Sequence, residues 1–507
     1  MRTHWTRASV LALAAGLTLA TGYAEAAGVL TIGRREDGTT FDPIMTAQNI
    51  DFWVFSNVDD VLIRVDKTGA KLEPGLAESW EISDDGLTYT FTMRDAKFSD
   101  GSPITAADAA FTLLRIRDDE GSLWSDSYSI IDTAEAADDR TLVVKLKTPS
   151  APFLSTLAMP GASIISKAGM ESMGEEAYAE SPIASGAFTV KEWRRGDRVI
   201  LEKNPNFWEA DRVSLDGVEW ISVPDDNTRM LKLKAGEVDA AIFVPFNMMA
   251  ELAKDPNIEV HPDPSSREDF LTINQARKPF DDVKVRTAIC QAIDREAIVK
   301  AVLFGNGKVA NSFIPAGALY YNPENPTCKY DPDAAKKLLA DAGQSNLTFK
   351  LLINAGDSVN DQISVLIKND LAKVGVNIDI EKQEAGQQWD TAVAGEYDAT
   401  IFYWTNDIID PDEKATFSLA GSQDVNKSFF TNYNNPRVIE LISQGREEMD
   451  PAKRTAIYNE MQKTASEEIH WIDLYYSPFR NASRKNVKGF YQNPTGRFML
   501  EDTEVTN

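Results

Sequence analysis

Alternating hydrophobic and polar residues predict two strands in the first third of the chain. Residues Gly86–Arg94 and Arg140–Lys147 alternate with the period of two that a half-buried strand requires. Between them, Thr105 and Asp108 have the spacing of a capping box, so we expect a helix to begin there and to continue through Arg115. This segment therefore predicts strands and a helix in one folded unit.

The region after residue 345 alternates strands with helices. The pattern predicts, in chain order, strand Leu347–Ile353, helix Asp361–Val374, strand Val376–Ile380, a short helix Gln387–Ala394 and strand Asp398–Trp404. Such alternation is typical of a mainly parallel sheet, in which ligands bind beyond the carboxyl ends of the strands. The loop after Trp404 is therefore the first place to search for a binding site.

The first 26 residues have the layout of a secretory signal peptide. Arg2 and Arg7 precede an apolar run at 8–20, and Ala24-Glu25-Ala26 follows as a cleavage site. The apolar run is shorter than the roughly 18–20 residues that a membrane-spanning helix needs, and no other stretch approaches that length. No cysteine lies near the cleavage site to carry a lipid. We therefore expect export by the general secretory route to the periplasm, without a lipid anchor or membrane insertion.

Length and charge exclude some classes of partner. The chain has 507 residues, with 52 Lys and Arg against 78 Asp and Glu, a formal net charge of −26. A negative charge spread along the chain disfavours nucleic acid and anionic membrane surfaces as partners. The length exceeds one compact core and predicts two or three domains.

The sequence contains few residues for catalysis or metal binding. There is no Gly-x-Ser-x-Gly elbow and no His-Glu-x-x-His helix, and only His261 and His470 remain beyond the signal peptide. We read His261 as a solvated turn residue and His470 as a packed one. Cys290 and Cys328 can form one disulfide in an oxidising compartment, but the sequence leaves bonded and free thiols both open. We expect no enzyme activity, no cofactor and no metal site.

Six ordered blocks of sequence resemble one known family. The blocks include Leu76-Ala-Glu-Ser-Trp80, Lys97–Asp108, Ser185-Gly-Ala-Phe188, Asn204-Pro-Asn-Phe-Trp208, Gly236-Glu-Val-Asp239 and Ala292-Ile-Asp-Arg-Glu296. Together they resemble the family 5 extracellular solute-binding proteins of ABC importers, the oligopeptide- and dipeptide-binding group. The resemblance extends from about residue 28 to the end of the chain.

The resemblance implies an α/β fold with two lobes: the type II periplasmic-binding-protein fold, in the large cluster with an extra subdomain in the first lobe. Two crossing segments, near residues 268 and 478, would act as the hinge. The implied boundaries are a signal peptide at 1–26, a discontinuous first lobe at 27–57, 180–268 and 478–507, an inserted subdomain at 58–179, and a second lobe at 269–477.

The implied function is that of the periplasmic solute-binding component of an ABC importer. We expect a monomer that captures a small solute between its lobes, a di- or oligopeptide in the first instance, and delivers it to the membrane permease. An opine, an oligosaccharide or a metal chelate as the solute stays open as an alternative, and a hydrolytic enzyme is a remote one.

Asp407 is the main candidate for ligand binding. In the loop Trp404–Glu413, Asp410 precedes Pro411 and Glu413 follows three positions later, which predicts a capping box and a structural duty for Asp410. The local sequence gives Asp407 no structural role in the loop. By resemblance, Asp407 matches the aspartate that accepts the ligand's ammonium group in peptide-binding members. The alternative is a solvated loop aspartate.

The other ligand-binding candidates are less specific. Trp404 would form an aromatic wall of the cleft by resemblance, whereas its apolar strand alone favours a core position. Arg277 could pair with a ligand carboxylate or with a surface acid. Ser185-Gly186 could bring backbone close to the ligand or form only a tight turn. The remaining polar candidates for contact with the ligand are Asn274, Gln275, Gln48 and Asn49.

Overall fold

The computed structural model describes residues 28–420 and 430–506. The predicted signal peptide lies outside the described residues. The structure confirms a mixed α/β fold, since strands and helices share the chain throughout. Within the described residues, the strands form three larger sheets and two two-stranded ones.

The first large sheet has seven strands drawn from distant parts of the chain. From edge to edge they are Ile258–His261, Asn481–Arg484, Ala240–Ala241, Val29–Arg34, Gly217–Ser222, Arg198–Lys203 and Phe188–Arg194. Val29–Arg34 pairs in parallel with both of its neighbours, and the other pairs are antiparallel. This sheet contains the first strand and one of the last, so both ends of the described chain belong to one body.

The second large sheet has six strands. From edge to edge they are Lys308–Val309, Ile472–Tyr476, Glu268–Ile273, Ala399–Trp404, Thr348–Asn354 and Asn377–Gln383. Only Thr348–Asn354 pairs in parallel, with a neighbour on each side, and the other three pairings are antiparallel. The expectation of a mainly parallel sheet is therefore wrong for the whole sheet. It holds only for the strands of the alternating region, because the other three strands come from other parts of the chain and pair in the antiparallel sense.

The third sheet has four antiparallel strands. Its order is Ala77–Ile82, Thr88–Met93, Thr141–Leu146 and Ile131–Ala136. Helix Ala106–Asp118 begins with the predicted capping box, in which Thr105 and Asp108 bond each other's backbone N–H groups. The two-stranded sheets pair Ile63–Val65 with Leu72–Pro74 and Val487–Lys488 with Glu504–Val505.

The helices cover the sheets and connect their strands. The α-helices are Asn49–Phe55, Ala106–Asp118, Ser125–Tyr128, Phe153–Thr156, Lys167–Met173, Glu175–Glu180, Asp226–Ala235, Phe246–Leu252, Val283–Ala292, Arg295–Ala301, Pro332–Asp341, Ser358–Lys373, Ala385–Val393, Asp412–Leu419, Pro436–Glu447 and Pro451–Glu467. Short 3-10 helices lie at Pro43–Met45, Pro160–Ala162, Ala210–Arg212 and Leu500–Asp502. Among the helices described, none combines the length and the apolar character needed to span a bilayer.

Two connections join the first sheet to the second. The chain leaves the first sheet after His261 and enters the second at Glu268, and it returns between Tyr476 and Asn481. We name the body with the first and third sheets the first lobe, and the body with the second sheet the second lobe. The lobes touch away from these connections, since the Ala151 N–H donates to the carbonyl of Arg446 at 2.9 Å.

The structure joins the two cysteines. Cys290 lies in helix Val283–Ala292, and its sulfur is bonded to that of Cys328, with the two Cα atoms 6.2 Å apart. The question left open by the sequence is thus answered within the second lobe, where the bond closes a stretch with a sequence separation of 38.

Candidate functional site beside the two connections

The loop after strand Ala399–Trp404 lies against the first connection. The Asn406 N–H donates to the hydroxyl of Ser266 at 2.9 Å, and Ser266 lies just before the strand that enters the second lobe. Ile408, two residues further on, is buried in the same apolar cluster as residues of the first lobe such as Phe52 and Trp124. The loop therefore contacts both lobes at the point where the chain crosses between them.

Asp407 and Glu413 form a buried acidic pair in this loop. Their exposed fractions are 6% and 8%, and the backbone N–H of Asp407 donates to the Glu413 carboxylate at 3.1 Å. Burial and the negative neighbour raise the pKa of Asp407 well above its usual range. Burial likewise raises the pKa of Glu413 to about 7. Two carboxyl groups this close do not both ionise readily.

Glu413 also faces the first lobe. Burial is the main cause that raises the pKa of the Tyr128 hydroxyl, and the Glu413 carboxylate adds to it across the gap between lobes. Among the residues the structure describes, neither Asp407 nor Glu413 is ion-paired with a cation. A buried acidic pair without a counter-charge has the electrostatic character to accept a positively charged group.

The capping box predicted from Asp410 and Glu413 is wrong. The helix begins at Asp412 with Pro411 at its N-cap, and Glu413 turns its carboxylate to the N–H of Asp407 instead. Asp410 does have a structural role. Its carboxylate accepts one hydrogen bond from the Asp412 N–H, at 3.0 Å, and two from the Arg454 guanidinium.

Two aromatic side chains, Tyr403 and Trp404, lie on opposite faces at the end of the strand that precedes the loop. The Trp404 ring is half-buried and lies 5.3 Å from the ring of Phe417, centroid to centroid. Tyr403 is 41% exposed, and the guanidinium of Arg267 lies 3.6 Å from its ring centroid. Both readings of Trp404 have support, since it packs partly against the second-lobe core and keeps part of its surface open.

Three arginines that no sequence motif indicated lie near one another, since Arg35 and Arg480 contact the Phe243 ring and Arg267 lines the same small cavity as Phe243. Arg35 forms a bidentate ion pair with Asp226, at 3.1 and 3.0 Å. Arg267 forms another with Asp269, at 2.8 and 2.7 Å. Arg480 is 8% exposed and lies over Phe246, 4.0 Å from the ring centroid. Only their positions in the sequence could have indicated Arg267 and Arg480, because these residues adjoin the predicted crossings near 268 and 478.

Ser185 and Gly186 lie inside the first lobe. The Ser185 hydroxyl donates to the carbonyl of Ile164 at 2.8 Å and accepts from the Asp60 N–H at 2.9 Å. A Cβ on Gly186 would lie 2.8 Å from the carbonyl of Val58, so close backbone packing requires glycine there. The structure accounts for both residues by contacts within this lobe.

Asn274 and Gln275 turn towards carbonyls of their own lobe. The Asn274 amide donates to Gly395 at 3.1 Å and to Tyr397 at 3.2 Å, and the Gln275 amide donates to His470 at 2.9 Å. These side chains hold the second lobe together at the far end of strand Glu268–Ile273.

Three further candidates are exposed or half-buried: Arg277, Gln48 and Asn49. Arg277 is 48% exposed and pairs with Asp398 at 2.9 Å, which favours the surface ion pair over the ligand role. Gln48 is exposed at the N-cap of helix Asn49–Phe55, and Asn49 is half-buried.

The two histidines lie in different lobes, His261 in a strand of the first and His470 just before a strand of the second. His470 is fully buried and burial lowers its pKa to about 4, as a packed residue should show. His261 is not the solvated turn residue we expected, because it is half-buried in a strand with its Nε2 atom 2.8 Å from the Ser483 hydroxyl. No group of three or more metal-ligating side chains converges within 28–420 and 430–506.

Comparison with known proteins identifies the family. The family described as bacterial extracellular solute-binding proteins, family 5 Middle, matches residues 71–426. The chain belongs to this family. As a family 5 member it is the solute-binding component of an ABC importer and not an enzyme, and a periplasmic location fits that role.

Relatives of this family 5 chain cover its whole length. The glutathione-binding protein GsiB of Escherichia coli strain K12 is 31% identical over 510 residues, covering 98% of this chain and 99% of the relative. The DppA protein of Helicobacter pylori, solved with the peptide STSA, is 26% identical with a TM-score of 0.86, covering 95% and 98% of the two chains.

A third family 5 relative was solved with a different kind of solute. The AgaA protein of A. tumefaciens R10, in complex with agropinic acid, is 27% identical with a TM-score of 0.84, covering 95% of this chain and 99% of its own. These likenesses confirm the predicted two-lobed periplasmic-binding-protein fold.

Proposed function

We propose that the solute is a small peptide with a free amino group, and that Asp407 and Glu413 accept its ammonium group between the closing lobes. The observation that carries this proposal is the buried acidic pair. An ammonium group supplies the counter-charge that the described residues around the pair do not provide. A charge-assisted hydrogen bond of this kind contributes about 1.5–3 kcal/mol.

The aromatic side chains beside the pair support a peptide ligand. Trp404 and Phe417 offer apolar surface without directional demands, so they can bury peptide side chains of different kinds. The relatives agree with this choice, since one is named for binding glutathione and another was solved with the peptide STSA.

An opine-like solute is the second candidate. The relative solved with agropinic acid is as similar to this chain as the one solved with a peptide. Ile408 and Ile409 next to Asp407 make the loop more apolar than is usual for peptide binders of the family, which leaves room for another amine-bearing compound.

The proposed role also includes export, processing and a membrane partner. We place the mature chain in the periplasm after removal of residues 1–26 by the general secretory route, without a lipid anchor. It acts there as a monomer that delivers its solute to permease subunits in the inner membrane. The lobes rotate about the two connections, and a solute that contacts both lobes favours the closed population.

Native mass spectrometry of protein purified from its own host tests the proposal. The expected result is a co-purified compound with a free amino group, released when the protein is denatured. Fragmentation of that compound separates a peptide from an opine. A retained solute that has no amino group would contradict the role given to Asp407.

A further inference from the structure

A buried ion pair joins the helix after the Asp407 loop to the first connection. The Lys414 Nζ atom lies 2.7 Å from the Glu268 carboxylate, and the two side chains are 1% and 0% exposed. Lys414 follows Glu413 in helix Asp412–Leu419, and Glu268 is the first residue of the strand that the chain enters after the first connection. The helix that carries Glu413 is therefore bonded directly to the end of that connection.

A second carboxyl group lies beside this pair, on the strand that leads to the second connection. Burial raises the pKa of Glu268 well above its usual range; Lys414 opposes this rise, and the neighbouring Asp473 carboxylate adds to it. Asp473 also accepts a hydrogen bond from the Trp471 indole at 2.8 Å, and the Lys414 ammonium lies 5.9 Å from the centroid of that ring. One buried cluster thus contains the helix lysine and a carboxyl group from each strand that adjoins a connection.

Apolar packing already holds this helix against the sheet. Ala415 and Leu419 belong to one apolar cluster with Phe270 and Trp471. A buried ion pair requires the desolvation of both charges, and apolar side chains of similar volume often give equal or greater stability. What the ion pair adds is direction, because a charged hydrogen bond is confined to a narrow range of geometries. Its contribution therefore lies in fixing the position of the helix.

Glu268 lies where the solute loop and both connections meet. In the sheet it is paired with Trp404 on one side and with Tyr476 on the other. Trp404 precedes the loop of the acidic pair, and Tyr476 ends the strand before the second connection. A rotation of the lobes that moves the connections therefore acts on Glu268, and Lys414 transmits the displacement to the helix. Such coupling is reciprocal, so binding at the acidic pair acts on the lobes in the same measure.

We infer that Lys414 is a positioning residue that links solute binding to lobe closure. Bonded to Glu268, it fixes the helix of the acidic pair relative to both connections, so a solute held by Asp407 and Glu413 favours the closed arrangement. This inference rests on the proposed function, because the solute acts through that pair. Lys414 acts through Glu268 and not on the solute itself.

The test replaces the ion pair by apolar side chains, in the double variant Lys414→Met, Glu268→Leu. Lys414→Met alone leaves Glu268 buried without its cation and should lower the Tm, whereas the double variant should keep the wild-type Tm or exceed it. The matched control is Lys350→Met, Glu381→Leu, which removes an exposed ion pair of the same lobe. A clear loss of Tm in the first double variant would show that the pair stabilises the fold and would overturn the inference.

Calorimetry and small-angle scattering with the dipeptide Met-Leu then compare binding with closure. The Lys414/Glu268 variant should bind Met-Leu at least tenfold more weakly than the wild type and show a smaller fall in radius of gyration at saturation. It should still prefer Met-Leu over the N-acetylated form, because the Asp407 N–H still donates to Glu413. The control should match the wild type throughout. A wild-type fall in the radius would overturn the inference whatever the affinity, and so would loss of that preference.

A measurement without solute separates this inference from the proposed function. If the wild type binds no Met-Leu, the proposed peptide ligand fails, and the distance between the lobes decides the inference. Nitroxide labels on Leu231→Cys in the first lobe and Val365→Cys in the second, both exposed positions, report that distance by pulsed electron resonance. The Lys414/Glu268 variant should give a broader distribution than the wild type, because the loop that packs against the first lobe is no longer fixed to the connections. An identical distribution would overturn the inference.

Discussion

Arg454 donates two hydrogen bonds to the carboxylate of Asp410, at 2.7 and 3.0 Å, and both side chains are almost fully buried. The contact joins helix Pro451–Glu467 to the loop that contains Asp407, although 44 residues separate the two partners. The position of the candidate site in the second lobe therefore depends on a distant helix.

The first prediction concerns this ion pair. Arg454→Met leaves Asp410 buried without its partner, so we expect the free energy of unfolding to fall by about 3–5 kcal/mol. Chemical denaturation followed by circular dichroism measures the change. Arg437→Met is the control, because Arg437 pairs with Glu440 and Glu460 on the surface and its loss should have little effect.

The second prediction is a pH dependence of solute binding. Because the pKa values of Asp407 and Glu413 are raised, we expect the free protein to hold a proton that a bound ammonium group displaces. Affinity for an amine-bearing solute should therefore rise as the pH increases from 5 to about 7, the pKa of Glu413. Calorimetry at pH 6, in buffers with different ionisation enthalpies, should detect the released proton. The Glu413→Gln variant should release less proton on binding than the wild type does. An equal release would contradict the expectation that Asp407 and Glu413 hold this proton together.

The same pair affects stability in the opposite direction. Because the folded protein holds a proton that the unfolded chain lacks above the ordinary carboxyl range, this pair's contribution to stability decreases as the pH rises towards 7. Glu413→Gln should flatten that part of the stability profile of the ligand-free protein.

The third prediction tests the contact between the loop and the first lobe. Ile408 is buried in the apolar cluster of the first lobe, although its loop belongs to the second. Ile408→Ala removes about 1.5–3 kcal/mol of burial from the closed state, so affinity should fall about tenfold to a hundredfold. Small-angle scattering should show a larger radius for the variant without solute. Val365→Ala, at an exposed position of the second lobe, should change neither quantity.

The fourth prediction concerns the disulfide. The bond between Cys290 and Cys328 closes a loop with a sequence separation of 38, for which chain entropy predicts about 4 kcal/mol of stabilisation. The double variant Cys290→Ser, Cys328→Ser should lose about that much, as should the wild type in reductant. Binding of solute at low temperature should persist, because the bond lies in the second lobe away from the Asp407 loop.

Local patterns in the sequence predicted the local elements. The capping box of Thr105 and Asp108 is present as expected, because all of its partners lie within one turn of helix. Helix Ser358–Lys373 begins three residues before its predicted start, because Asp357 caps it by accepting from the N–H groups of Val359 and Asn360. The family motifs added the two-lobed arrangement.

Contacts between distant residues account for what the sequence did not reveal. Asp410 has the local spacing of a capping residue, yet Arg454 determines its position. Asn274 has the polarity of a ligand contact, yet it turns to carbonyls more than 120 residues away. Arg480 belongs to no motif, and only the folded chain shows that it is buried beside Trp53.

The central claim is that Asp407 binds the solute's ammonium group, and one calorimetric comparison tests it most directly. Met-Leu and its N-acetylated form are titrated into the wild type and into Asp407→Ala. We predict that the wild type binds the free amine at least tenfold more tightly, equivalent to about 1.4 kcal/mol, and that the variant loses this preference. Equal binding of the free and acetylated peptides to the wild type, or an unchanged preference in the variant, would contradict the account.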